Sequence, residues 1–152
     1  MAYWLLKSEV ETWSWNQQKE AGRKGAEWTG VRNYQARNNM RAMKAGDLGF
    51  FYLSGADKAV VGIVKVMKEA HPDSTDSSGQ WECVDVAALT DLPKPVTLAD
   101  IKAKPKLKDM VLVRNSRLSV QPVTEAEWRA VCAMGGISDP PSSTVPQGRV
   151  LG

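Results

Sequence analysis

The segment Trp28-Thr29-Gly30-Val31-Arg32-Asn33 places a tryptophan, a turn-forming glycine, an arginine and an asparagine within one short stretch. These types stack, hydrogen-bond and hold anions, and they build cores poorly. Asn33 can cap a following helix, or it can offer its paired amide donor and acceptor to the edge of a base. A helix amino terminus presents unpaired N–H groups and a partial positive charge, which suits phosphate or a polar base edge. Arg32 and Arg37 can meet phosphate, although Arg37 reads equally well as a plain surface residue. Trp28 can stack on a planar ring or sit in the core. The chemistry on offer is that of gripping something flat and negatively charged.

Catalytic chemistry has less to draw on. The single histidine, His71, precedes Pro72 in a stretch that reads as polar loop, and is expected to be solvated there. No nucleophile elbow, phosphate-binding loop or dinucleotide fingerprint occurs. Cys83, Cys132 and His71 are too few and too scattered to be read as zinc ligands, so neither a metal nor another cofactor is expected. Glu9, Glu11 and Asp85 could act as acid or base, but no spacing marks them out. Six tryptophans, at 4, 13, 15, 28, 81 and 128, are many for 152 residues. Some must be core, and a surplus suits a protein that grips planar ligands.

The elements that position these residues follow from pattern and punctuation. Residues 3–8 read as a strand with Lys7 and Ser8 near its end. Ser14 and Gln17 have capping-box spacing, which predicts a short helix fading by Gly22. Asn33 opens a helix to about Met43, closed by Gly46. Strands are expected over 47–53, 59–68 and 81–89. A short helix begins at Thr97 and ends at Pro105, and a last strand spans 117–123. Thr124 and Glu127 cap a final helix, ended by Gly135-Gly136. Three consecutive strands argue against a doubly wound sheet. The order suggests an α+β small barrel or strongly curved sheet with peripheral helices.

Length fits one domain, since domains commonly run to about 100–200 residues. The net charge of +3 is modest, but Arg32, Arg37, Arg41 and Lys44 face only Asp47 between Trp28 and Tyr52. One locally basic face on a near-neutral body suits a binder of limited anionic surface. The lysines at 102, 104, 106 and 108 read as a solvated face. No long apolar span points to a membrane, and MAYWLLKSEVE meets acidic residues too early for a signal peptide. A cytoplasmic location is expected, or a nuclear one in a eukaryote. Cys83 and Cys132 then read as small buried thiols.

SEVETWSW (8–15), EWTGVRNYQARNNMRAMKAGD (27–47), FFYLS (50–54), VGIVKV (61–66) and DMVLVRNSRLSVQPVTEAEW (109–128) closely resemble the EVE domain family, the thymocyte-nuclear-protein-like group. The resemblance covers residues 1–136 as one domain and leaves 137–152 as a loosely held Pro/Ser-rich tail. It implies a PUA-like fold, a compact β-barrel of five or six strands related to YTH domains. It also implies a non-enzymatic reader of a modified base, with modified cytosine in DNA, such as 5-methylcytosine, ahead of RNA as ligand. Competing readings are an RNA-binding module, a protein-interaction domain and a nucleotide-modifying enzyme without a recognisable motif. Carried over by motif, Lys7, Ser8, Trp28, Val31, Asn33, Tyr52 and Ser54 are expected around the base pocket. Arg32, Arg37, Arg117 and Ser119 are expected to contact the nucleic-acid backbone. The family commonly has proline at Val10 and histidine at Leu53. A histidine could donate to a ligand and Leu53 cannot, so this departure bears on which base is accepted.

Overall fold

Side chains alternate across β1 (Tyr3–Glu9), so Tyr3 and Leu5 enter one apolar cluster while Trp4 and Leu6 enter another. The same alternation runs along β3 (Leu48–Ser54), with Phe50 and Tyr52 on the first side and Phe51 and Leu53 on the second. Both faces of the sheet are therefore covered, which is why these strands read as nearly unbroken apolar runs. The structure, a computed structural model, describes residues 2–142.

β1 and β3 pair in parallel, with Tyr3 opposite Leu48. A parallel pair needs a long crossover. Here the crossover holds α1 (Trp15–Glu20), the two-residue strand β2 (Ala26–Glu27) and α2 (Tyr34–Ala42). β4 (Ala59–Pro72), β5 (Glu82–Thr97) and β6 (Val120–Val123) add antiparallel, giving the order β2-β5-β4-β3-β1-β6. Its edges, β2 and β6, do not pair with each other. The expected closed barrel is thus corrected to an open mixed sheet of six strands. Edge strands of two and four residues are too short to make a closing ladder. Register shifts between β4 and β5 add local twist and curvature instead.

The expected caps form. Ser14 and Gln17 bond reciprocally at the start of α1, and Asn33 Oδ1 accepts from the Ala36 N–H at 2.8 Å. Thr97 with Asp100 opens α3 (Leu98–Lys102), and Thr124 with Glu127 opens α5 (Glu125–Met134). A further single-turn helix, Val111–Arg114, was not expected and precedes β6; it is α4, in chain order between α3 and α5.

Three strand expectations shift. The strand expected over 81–89 runs on to Thr97, because Leu92 and Val96 still enter the core while Pro93 and Pro95 remain exposed. The strand expected from Arg117 begins only at Val120, since residues 115–118 form a turn closed by Leu118 N–H to Asn115 C=O. His71 lies near the end of β4, opposite Cys83, rather than in a loop.

α5 covers one face of the sheet, where Trp128 stacks on Phe50 at 4.1 Å and Tyr3 at 4.6 Å. α1 and α2 cover the other, bringing Trp15 and Met40 into the second cluster. A Cβ on Gly62 would stand 2.1 Å from the Trp15 ring, so glycine is required there. Past α5, Ile137 packs on the first cluster and the Pro141 carbonyl accepts from Trp128 Nε1 at 2.8 Å. The start of the tail thus lies against the body, and residues 143–152 fall outside the described residues. Both cysteines are buried free thiols, as expected, and burial first of all pushes each up to about 12.

Candidate functional site

The carboxyl end of β1 turns sharply, with Thr12 and Trp13 N–H groups both bonding to the Glu9 carbonyl at 2.9 Å. Ser8 Oγ holds that turn by donating to the Trp13 carbonyl at 2.6 Å. Trp13 is half-buried, and its indole N–H donates to Gln18 Oε1 at 2.9 Å. Gln18 is wholly buried and spends its amide N–H on the Val86 carbonyl at 3.0 Å, which ties the indole to the sheet.

Opposite this turn runs the segment after β2. Trp28 N–H bonds to the Val84 carbonyl at 2.8 Å, and its ring meets Phe51 edge-on at 5.6 Å. Gly30 follows with φ of 86°, a left-handed conformation that favours glycine. Between the two segments lies a cavity of about 410 Å³. Lys7, Ser8, Glu9, Thr12 and Trp13 form one wall, and Ala26 to Arg32 form the other, with Ser119 at the end. Its size falls within the roughly 300–1,000 Å³ usual for small-ligand sites. A depression of about 450 Å³ beside α5, at Arg129 and Ile137, has no aromatic wall. Arg129 there is already paired with Glu125 at 2.8 Å.

The cavity's polar groups carry opposite charges. Lys7 donates to the Ser116 carbonyl and lies 5.7 Å from the Tyr52 ring centre; burial lowers its pKa. Glu27 is held ionised below the usual carboxylate range, first by the Ser74 N–H at 3.1 Å. Cys83 Sγ also donates to Glu27, at 3.6 Å, and both bonds end on Oε1. The Ser74 side chain and the charge of His71 add to the same effect, and the carboxylate lines the cavity.

Asp73 fixes the cavity's rim. Its buried carboxylate accepts from Gly30 N–H at 2.9 Å, from Arg32 at 3.2 Å, and from Thr75 N–H and Oγ1 at 2.7 and 2.6 Å. Burial alone would raise its pKa; hydrogen bonds from Thr75, Gly30 and Arg32 outweigh burial and hold it at about 2.

Lys7, Ser8, Trp28, Val31, Arg32 and Ser119, all expected at the site, are brought together at the cavity. Asn33 instead caps α2, and Tyr52 is 3% exposed within the core. Ser54 lies behind the wall, donating to the Ser8 carbonyl at 3.2 Å. Arg37 sits on α2 and donates to the Gln80 carbonyl, and Arg117 is exposed in the turn before β6. Leu53 is buried in the cluster that holds Trp28 and Phe51 and does not line the cavity, so it acts on the site through packing. Residue patterns missed Trp13, Glu27 and Asp73. Trp13 was visible only as part of SEVETWSW, while Asp73 meets Gly30 across 43 residues with no local signal.

Folding also gathers one possible ligand set, with donor atoms of Glu27, His71 and Cys83 within 4.8 Å of one another. As it stands this is a hydrogen-bonded group: His71 Nε2 pairs with Asp85 at 2.7 Å, and Cys83 is a protonated thiol. A metal would have to displace that proton.

The described residues thus form an α+β domain whose open sheet carries a tryptophan-walled cavity at the end of its first strand. The chain belongs to the EVE domain family, whose model matches residues 2–134. The Agrobacterium tumefaciens protein Atu2648 is 59% identical, with a TM-score of 0.93 over 95% of this chain and 100% of that one. Human thymocyte nuclear protein 1 is 33% identical over 165 residues, 88% of this chain and 73% of its own length. A crystal structure of human THYN1 in complex with 5-methylcytosine-containing DNA matches with a TM-score of 0.84 and 34% identity, over 93% of this chain and 100% of that one. A Zygosaccharomyces rouxii YTH domain, solved with N6-methyladenosine RNA, shares the fold at a TM-score of 0.55 and 16% identity, over 88% and 86% of the two chains.

Proposed function

We propose that this protein is a non-enzymatic reader of nucleic acid that takes one extruded, modified base, a modified cytosine in DNA, into the cavity between Trp13 and Trp28. The observation that carries the reading is the pairing of two indoles with an ionised carboxylate in one cavity. Flipping a base costs a few kcal/mol, which stacking and edge hydrogen bonds must offset. The tryptophans supply apolar surface, and the Glu27 carboxylate at the cavity wall can accept from an exocyclic amine. Cytosine presents that amine at N4, where thymine presents a carbonyl. Val31 offers apolar contact to a ring substituent. The THYN1 complex with 5-methylcytosine DNA supports DNA as the partner. A cytoplasmic site of action, or a nuclear one in a eukaryote, belongs to the same proposal.

The test is a titration, followed by tryptophan fluorescence, with matched oligonucleotides carrying cytosine, 5-methylcytosine, 5-hydroxymethylcytosine or N6-methyladenine. Tighter binding of a modified cytosine is expected. Equal weak affinity for all four, abolished by modest salt, would indicate charge attraction alone and overturn the reading.

A further inference from the structure

Beside the cavity, on the outer side of Arg32, the protein builds a second aromatic feature that base reading at the cavity does not use. The Tyr34 and Trp81 rings stack at 5.0 Å with their planes 26° apart. Arg37 lies 5.0 Å from the Tyr34 ring and 5.5 Å from Trp81, and Arg32 lies 5.7 Å from Trp81. Arg32 also lines the cavity, so the ladder starts at the rim and ends at Tyr34. Tyr34 is 59% exposed, a large aromatic ring left open to solvent.

The guanidinium groups decide what such a ladder can hold. Arg32 gives its N–H groups to Asp73 and Thr75, and Arg37 gives its own to Gln80 and Asn38. Arg32 is paired with Asp73, while Arg37 is held by the neutral oxygens of Gln80 and Asn38, and both guanidinium groups lie against the rings and pin them. What remains for a ligand is the exposed tyrosine surface at the end of a rigid stack. A π-face held this way suits another π-face, and every nucleobase has one.

Resting on the reader function above, we infer that Tyr34 and Trp81 form a stacking platform for an unpaired base next to the one held in the cavity. The platform adds affinity without choosing sequence. A base inside an intact duplex has both faces covered by its neighbours, so the platform favours single-stranded or locally opened nucleic acid.

The probe is a short single-stranded DNA with a central 5-methylcytosine, compared with the same strand carrying an abasic spacer on either side of it. Wild-type protein is expected to lose roughly 5- to 150-fold in affinity when the stacking neighbour is removed, the range that one base–aromatic contact represents. Tyr34→Ala should lose the same factor on the intact strand and nothing further on the spacer strand. Tyr34→Phe should restore wild-type binding, and Tyr34→Leu, which still covers Trp81, should not. The ratio of affinities for methylated over unmodified strands is expected to stay at the wild-type value in Tyr34→Ala. Wild-type insensitivity to both spacers, or binding confined to the paired duplex, would overturn the platform. If methylated and unmodified strands bound alike while the spacer effect persisted, the reader function would fall and the platform would stand.

Discussion

The two faces of the sheet use tryptophan in opposite ways. Under α5, Trp128 is 1% exposed, with Phe50 and Tyr3 stacked against it and its N–H bonded to Pro141. Every part of that indole already has a protein partner. On the other face, Trp28 is also buried, 7% exposed within the second cluster and edge-on to Phe51, while Trp13 is half-buried and tethered through its N–H. Both line the cavity, Trp13 as the more open of the two. The first face is held by packing. The rim of the second is held by a buried carboxylate and its hydrogen bonds. A site needs its residues fixed without being covered, and directional bonds from behind achieve that where close packing cannot.

The sharpest way to break this contrast is to truncate the packed indole. Trp128→Ala is expected to cost about 3–5 kcal/mol of stability, the range for large aromatic deletions in cores. Chemical denaturation measures it, and a cost near zero would mean that face is not the stability core. Asp73→Asn comes next, with an expected loss of about 2 kcal/mol, in line with a hydrogen-bonded charge and a pKa depressed to about 2. The sign is definite. Because the folded-state pKa is depressed, the stabilisation is present above the ordinary value of 3.8 and is lost as pH falls toward 2. The variant's acid-unfolding curve should therefore be flatter over that window than the wild type's.

Trp13→Ala should separate binding from folding. Loss of roughly 1–3 kcal/mol in affinity for methylated oligonucleotide is expected, the usual worth of one stacking aromatic. Its unfolding midpoint should move much less than that of Trp128→Ala; a fold loss of equal size would assign Trp13 to the core. Arg117→Ala should have the smallest effect, within about 0.5 kcal/mol in stability for an exposed turn residue. If Arg117 meets one phosphate, the salt dependence of binding should flatten by about one phosphate contact. An unchanged salt slope would remove it from the interface.

Local features were legible wherever one short segment contains both partners. The caps of Ser14, Asn33, Thr97 and Thr124 were read from spacing alone, because each bond closes within three residues. β1 and β3 were read as strands from their short apolar runs, within a residue of their observed ends. The end of β5 was misjudged because Pro93 and Pro95 look like breakers, yet both are exposed while Leu92 and Val96 continue into the core. Barrel closure was misjudged because strand count does not say which edges meet. His71 was misplaced because only its pairing with Cys83 makes its segment a strand.

The amino-acid sequence by itself determined the helix starts, the two-sided strands, the supply of tryptophan and arginine, and the family motifs that carry them. These rest on chemistry between residues close in the chain. The tertiary structure alone decided which tryptophans are covered and which face a cavity, that Glu27 joins Lys7 there, and that Asp73 clamps Gly30 and Arg32 from 43 and 41 residues away. Those outcomes depend on contacts between distant segments, where burial and hydrogen-bond partners are set only once the strands have chosen their neighbours.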